Sequence, residues 1–314
     1  MGCVVCKNSQ KKILHENVPD FYFPEIPGKF QIKKCEMCGL MYIDPQPLAE
    51  ELALHYPETY PVYQRKFYLP SPVRSFITKL VAENYLGYGR PRWWRIFLIP
   101  FYVKFSHLPK RKENGNILDV GCETGTRFPL FRSLGWKVKG VEMNKGAAEA
   151  AQKAGYDVLC ASFEGVEMPR NSFDAVYVNN VFEHFANPHG VLEKTKETLV
   201  PEGELILVVP NGEGLAARLF GRHWFGLEVP RHLFTYNKKS IGKLMLQHGF
   251  EVQNIIYPLT FGSFSSSLAY LLGKRANFFS FLEWPIWLLN FLVDPIFCFW
   301  GIGDWMIIRA KIKK

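Results

Sequence analysis

The opening of the chain has no apolar core. Met1 to Gln10 ends in Lys7, Asn8, Ser9 and Gln10, so no export signal is expected there. Met1-Gly2 could begin an acylation signal, but position 6 is Cys where Ser or Thr is needed. Acidic residues are the scarcer charge, 29 against 38 Lys and Arg, for a net charge of +9. That balance admits nucleic acid, anionic lipid or an acidic substrate, and simple solubility explains it equally well. The main apolar stretch, Phe278 to Ile302, is interrupted by Glu283, Pro285, Asn290, Asp294 and Pro295. A spanning helix needs roughly 20 apolar residues and rarely carries central charge, so a membrane span is not expected. Apolar and aromatic side chains are plentiful. The 314 residues are 48% hydrophobic and 15% aromatic, enough for one large domain with a sizeable core and a smaller one beside it.

The seven cysteines, with no export signal, argue for a reducing, cytoplasmic compartment in which thiols stay free or bind metal. Four of them form two knuckles, Cys3-x-x-Cys6 and Cys35-x-x-Cys38. Two such pairs set four thiolates at the corners of a tetrahedron, which zinc accepts. The intervening residues suit a ribbon of two or three strands, such as Phe21 to Phe23 and Phe30 to Lys33. With all four corners filled by protein the site is expected to be structural. A redox pair or unpaired structural thiols are the alternatives. Cys122, Cys160 and Cys298 read as buried structural thiols.

The most informative stretch is Asn116 to Gly125, where a short apolar strand ends in Asp119 and a turn follows with Gly121 and Gly125 either side of Glu123. A glycine turn at a strand end lets a small molecule approach the backbone. A second strand, Lys137 to Glu142, ends in a carboxylate 23 residues after Asp119, a distance that suits a ribose diol. Alone, these features also fit a nicotinamide-dinucleotide fold. The series Ile117 to Gly125, Gly140 to Asn144, Ser172 to Val176, Val181 to His184 and Leu199 to Leu205 resembles, in order and spacing, a class I S-adenosylmethionine-dependent methyltransferase. It is most similar to the ubiquinone-biosynthesis-like O-methyltransferases and to sugar or glycan methyltransferases. Many of the latter carry a similar amino-terminal zinc segment, followed by motifs like Cys38 to Pro45 and Tyr56-Pro-Glu-Thr-Tyr60.

The resemblance implies a cofactor site of Asp119, Gly121, Cys122, Glu123 and Gly125 beside the methionine portion. Glu142 would take the ribose hydroxyls and Met143 the adenine face. Ser162 and Phe163 would lie near the adenine, and Asn179 next to the sulfonium. Glu123 replaces the usual middle glycine, Ser162 an aspartate that reads the adenine amine, and Asn180 the first acid of a Glu-x-x-Glu-His pattern. The last change makes a divalent cation there doubtful. Glu183 and His184 follow in that loop, and His184 is the first candidate for a general base, since imidazole titrates near neutrality. A brace for the loop is the alternative. His232, in Pro230 to Thr235, is the second candidate.

The organisation expected is a zinc ribbon over 1–44, a proline-punctuated helical linker or lid over 45–112, and a methyltransferase domain over 113–314. The linker should carry a short helix near 48–55 and a helical region over 73–106 with a break near Gly87 to Pro91. The domain should be a seven-stranded α/β, Rossmann-like sheet. Its strands are expected at 116–120, 137–142, 156–160, 174–179, 204–209, 251–257 and 305–312. Helices are expected at 125–134, 145–154, 188–199 and 238–248, with Gly135, Gly155 and Gly249 as stops. About 45 residues separate the last two strands, too many for an idle loop. This apolar insertion, 258–302, reads as an interfacial hairpin or lid helix with tryptophans at headgroup depth, or as a core helix pair. Trp93 to Tyr102, flanked by Arg90, Arg92 and Lys104, favours membrane contact.

The function expected is O-methylation of a small-molecule, glycan, lipid-linked or isoprenoid-like acceptor, with peripheral contact at the inner membrane face; nucleic acid is not expected as a partner. The cofactors expected are S-adenosylmethionine and structural zinc. An RNA methyltransferase is the alternative enzyme, but Asn179-Asn-Val-Phe182 stands where amino-methylating nucleic-acid enzymes carry an Asn/Asp-Pro-Pro-aromatic motif. A non-catalytic binding module that kept the fold is the alternative outside the enzymes.

Overall fold

The computed structural model describes residues 2–57, 60, 72–258, 261–275, 278 and 296–313. Its main sheet contains β4 (Asn116–Val120), β5 (Lys137–Glu142), β6 (Asp157–Cys160), β7 (Phe173–Asn179), β8 (Leu199–Pro210), β10 (Phe250–Ile256) and β11 (Trp305–Ile312). The order is β10-β11-β8-β7-β4-β5-β6. The strands from β8 to β6 are parallel, while β11 runs antiparallel to both β8 and β10. Central strands such as Asn-Ile-Leu-Asp-Val are buried on both faces, which is why they read as continuous apolar runs and not as alternation. All seven expected strands are present, and β8 begins earlier, at Leu199 instead of 204. Strand order reverses between β4 and β7, which opens a crevice at their carboxyl ends.

Helices α4 (Phe128–Ser133), α5 (Lys145–Lys153), α6 (Pro188–Thr198) and α8 (Lys238–Gln247) follow the expected pattern. Asn144, Asn187 and Asn237 cap the last three by accepting the amides of Ala147, Gly190 and Ser240. Upstream lie α1 (Ala49–Leu54), α2 (Pro72–Tyr85), a 3-10 turn over Trp93–Leu98 and α3 (Ile99–Phe105). This arm is tied to the sheet by Arg309. Its guanidinium pairs with Glu204 at 2.8 and 2.6 Å and also donates to the carbonyls of Ser106 and Leu108.

A second sheet, in the order β1 (Lys11–Val18), β2 (Phe30–Cys35), β3 (Met41–Ile43), β9 (Phe234–Thr235), forms the ribbon. Its last strand comes from the methyltransferase part of the chain. Met41 pairs with Thr235 and Tyr42 with Phe234. Residues Phe21 to Phe23 are not a strand. The buried carboxylate of Asp20 accepts the amides of Tyr22 and Phe23 at 2.8 and 3.1 Å, which bends the backbone out of extended geometry. The ribbon strand before this bend, β1, was not expected; its burial alternates only loosely.

Two further helices are α7 (Leu215–Phe220), which was not expected, and α9 (Phe261–Leu271), which lies within the insertion read as helical. The second opens the insertion and packs inward. Ser267 Oγ accepts the Phe225 amide at 2.9 Å, and Tyr270 stacks on Phe21 at 5.3 Å. Trp284, Trp287 and Phe291, the aromatic residues on which a membrane-seated insertion was expected to rest, lie outside the described residues. Among the described residues no helix is long and apolar enough to cross a membrane.

Candidate active site

The cofactor crevice begins at Gly121, whose φ of +68° is a left-handed conformation. A Cβ there would fall 2.4 Å from a Val181 methyl, so the turn after β4 lies directly against the turn that carries His184. Glu142 Oε2 accepts the Glu123 amide at 2.9 Å, and Oε1 accepts the Asn144 amide at 2.7 Å. One carboxylate therefore clamps the lips of β4 and β5 together. Burial raises its pKa. Glu123, at φ +54°, is itself in the left-handed region. Its carboxylate lies 3.9 Å from Arg127 Nη1.

Arg127 was not anticipated, and a lone arginine after a glycine turn gives no sequence signal. It donates to Asp119 at 3.2 and 3.4 Å and to the Gly121 carbonyl at 3.1 Å, with its guanidinium 5.6 Å from the Tyr177 ring centroid. Of the other expected cofactor residues, Cys122 is buried beneath the turn beside Gly140. Gly125 sits against Tyr156. Met143 and Ser162 are exposed, Asn179 is half-buried, and Phe163 is buried under the Lys194 ammonium.

The acid–base cluster lies beside this crevice. Glu183 and His184 belong to the 3-10 turn Phe182–His184, and His232 comes from the loop before β9. The His184 and His232 rings are 4.7 Å apart and perpendicular. His232 Nδ1 meets the Gly226 carbonyl at 2.8 Å, which requires the proton on Nδ1 and leaves the Nε2 lone pair free. That Nε2 is 3.7 Å from Glu183 Oε1 and 3.7 Å from Glu228 Oε2. Glu183, His184 and His232 each offer one ligand atom within 4.8 Å of the others, so the same trio could hold a cation.

Burial separates the titrations. It pushes Glu183 up to about 8, so this carboxyl is protonated at neutral pH, and neither of its oxygens has a hydrogen-bond partner among the described residues. Burial, aided by His232, takes His184 down to about 3, and burial lowers His232 as well. Glu228 goes the other way. Burial opposes its charge, but His232, Arg231 and His184 outweigh it and hold the carboxyl at about 2. The cluster thus pairs neutral imidazoles with one fixed carboxylate.

Several residues here escaped sequence reasoning. Tyr56 meets His184 Nδ1 at 2.8 Å, and Tyr60 donates to Glu228 at 2.6 Å. Their signal was the tyrosine-rich Tyr56 to Tyr60 motif, whose role could not be read without the fold. Arg231 donates to Glu228 at 2.9 Å, to Asp20 and to the His55 carbonyl, and is surrounded by the rings of Tyr22, Phe23 and Tyr60. The ribbon and linker therefore form one wall of the cluster.

The cysteines converge as expected. Cys3 and Cys38 Sγ are 3.6 Å apart, and Cys6 and Cys35 Sγ 3.4 Å. Zinc–sulfur bonds of about 2.3 Å in a tetrahedron set sulfurs close to that separation. Lys7 and Gly39, the residues after each knuckle's second cysteine, share left-handed φ values of +61° and +74°. The two knuckles are thus related turns, and the four cysteines suit a zinc ion.

These features define a methyltransferase domain, and the chain belongs to the methyltransferase-domain family, whose profile matches residues 96–255. The chain is 26% identical to a ubiquinone biosynthesis O-methyltransferase of Dinoroseobacter shibae over 60% of its own length and 74% of that protein's. It is 25% identical to the C-methyltransferase NovU of Streptomyces niveus over 44% of its length and 33% of that protein's. An uncharacterised protein of Methanocaldococcus jannaschii is 29% identical over 36% of this chain and 52% of its own. The chain spans about half or less of most of the curated relatives it matches. Among solved structures, an S-adenosylmethionine-dependent methyltransferase of Thermotoga maritima, titled a possible histamine N-methyltransferase, is 19% identical. It aligns with a TM-score of 0.48 over 70% of this chain and 93% of its own.

Proposed function

We propose that the chain is an S-adenosylmethionine-dependent methyltransferase that methylates a hydroxyl of a glycan, lipid-linked or isoprenoid-like acceptor, with His232 as the base. The crevice fits such a cofactor. It sets Asp119 and Glu123 against the Arg127 guanidinium, with the Glu142 carboxylate on the Glu123 amide, a net negative wall suited to a cationic sulfonium. Bound there, the cofactor would supply an electrophilic methyl group. Everything else falls to the chain's own residues, which must orient the acceptor and remove its proton.

The observation that carries the base assignment is the pairing of His232 Nδ1 with Gly226 O at 2.8 Å. It fixes the tautomer and directs Nε2 toward the cluster. His232 Nε2 would take the proton of an acceptor hydroxyl, and the ionised Glu228 at 3.7 Å would stabilise the resulting imidazolium. Tyr56, next to His184, is positioned to orient the acceptor by its hydroxyl. Tyr22, Tyr56 and Tyr60 form edge-on ring pairs of 5.7 and 5.8 Å, an aromatic wall for a sugar or isoprenoid face. Relatives named for O- and C-methylation support methyl transfer without naming this acceptor.

The test is transfer of a labelled methyl group, with membrane lipids, sugar nucleotides and RNA offered separately. Label in a lipid or sugar fraction is the expected outcome. Label only in RNA would replace the acceptor reading, and cofactor binding without transfer to any fraction would support a binding module.

A further inference from the structure

Residues 84–112 contain seven Lys or Arg and no Asp or Glu. In the fold this segment presents an apolar face with a cationic border. Trp93 is 87% exposed, and Ile96 and Phe97 are more than half exposed beside it. Arg90, Arg92 and Arg95 are exposed on the same stretch. A second exposed pair, Phe299 at 87% and Trp300, comes from residues 296–300 ahead of β11. Tyr102 and Cys298, one from each segment, pack on the same core cluster.

Five large apolar side chains held in water are a poor end state for a folded protein, and clustered ones mark a contact surface. We propose that this face docks on an anionic lipid bilayer. Tryptophan and phenylalanine insert at headgroup depth, and arginines at the rim meet anionic headgroups. Each basic residue near such a surface strengthens partitioning by about fivefold. A second copy of the chain fits less well, because a two-fold contact through this face would oppose like charges along residues 84–112. Among the described residues no helix is long and apolar enough to cross a membrane, and the contact proposed is a peripheral one. The proposal does not depend on the acceptor or on His232.

The test is co-sedimentation of the full chain with vesicles of phosphatidylcholine alone and of phosphatidylcholine with phosphatidylglycerol. Binding to the anionic vesicles alone, weakened at high salt, is expected. Trp93→Ser with Phe97→Ser, and Arg90→Glu with Arg92→Glu, should each weaken binding at least tenfold with an unchanged melting temperature, since all four side chains are exposed. Lys153→Glu with Lys238→Glu, on α5 and α8, should leave binding within twofold. No binding to anionic vesicles at low salt would overturn the proposal. So would equal loss in the control pair, or a dimer in light scattering that Trp93→Ser with Phe97→Ser disperses.

Discussion

Arg231 and Asp20, 211 residues apart in sequence, form a fully buried pair in which the guanidinium donates to both carboxylate oxygens at 2.7 and 2.9 Å. Arg231 also holds Glu228, and Glu228 faces His232. The bend after β1 is therefore part of the wall around the candidate base.

The Asp20 pair should make the protein acid-sensitive. Burial alone would raise the Asp20 pKa, but the Arg231 hydrogen bonds and charge, with His55, outweigh it and lower it. A depressed folded pKa contributes stability that is complete above the ordinary value of 3.8 and is lost as pH falls through the folded value. Asp20→Asn should cost about 3–5 kcal/mol near neutrality, because it strands a buried guanidinium. The gap to wild type should close as pH drops below 3.8. Thermal melts at a series of pH values measure both.

Glu183 predicts the opposite dependence. Its folded pKa is raised from 4.5 to about 8, so its contribution is complete below 4.5 and is lost as pH rises toward 8. Glu183→Gln keeps the neutral shape at every pH. Relative to wild type, the variant should gain stability across that window in melts from pH 4 to 9. A constant difference would show that Glu183 is ionised in the fold.

The cysteine cluster should hold one zinc per chain, measurable by metal analysis of protein purified without chelator. Because β3 pairs with β9, just beyond His232, losing the metal should reach past the ribbon. Cys35→Ser should lower the melting temperature and open the 225–236 loop to protease along with residues 1–44. Cleavage confined to 1–44 would show that the ribbon sheet survives without its metal.

Glu142→Ala should weaken S-adenosylmethionine binding by about 2–4 kcal/mol in calorimetry, the scale of two charge-assisted hydrogen bonds. Part of that loss would come from freeing the amides of Glu123 and Asn144. Glu142→Gln, which keeps an acceptor, should lose less.

The sheet was largely legible in the sequence because its buried strands are contiguous and their turns carry glycine or asparagine. The placement of Asp119, Gly121 and Glu142 at the ends of β4 and β5, and of Glu183-His184 in the turn after β7, was legible because these motifs follow one another in family order. The partners across the site were not. Asp20, Tyr56, Tyr60, Glu228 and Arg231 come from three separate segments, and no local pattern records that Asp20 ends against Arg231. The β3–β9 pairing was hidden for the same reason, since a two-residue strand has no periodicity. Phe21 to Phe23 misled because aromatic residues favour strands, whereas here the Asp20 side chain satisfies the backbone.

The central claim is that this chain moves a methyl group with His232 as the base. The most direct measurement compares kcat for wild type and His232→Asn on the acceptor found by labelling, with S-adenosylmethionine affinity determined in parallel. A loss of about 10²–10⁴-fold in kcat at unchanged cofactor affinity is the expected result. Unchanged kcat in His232→Asn would contradict the assignment of the base, and failure of the wild type to bind S-adenosylmethionine would contradict the account as a whole.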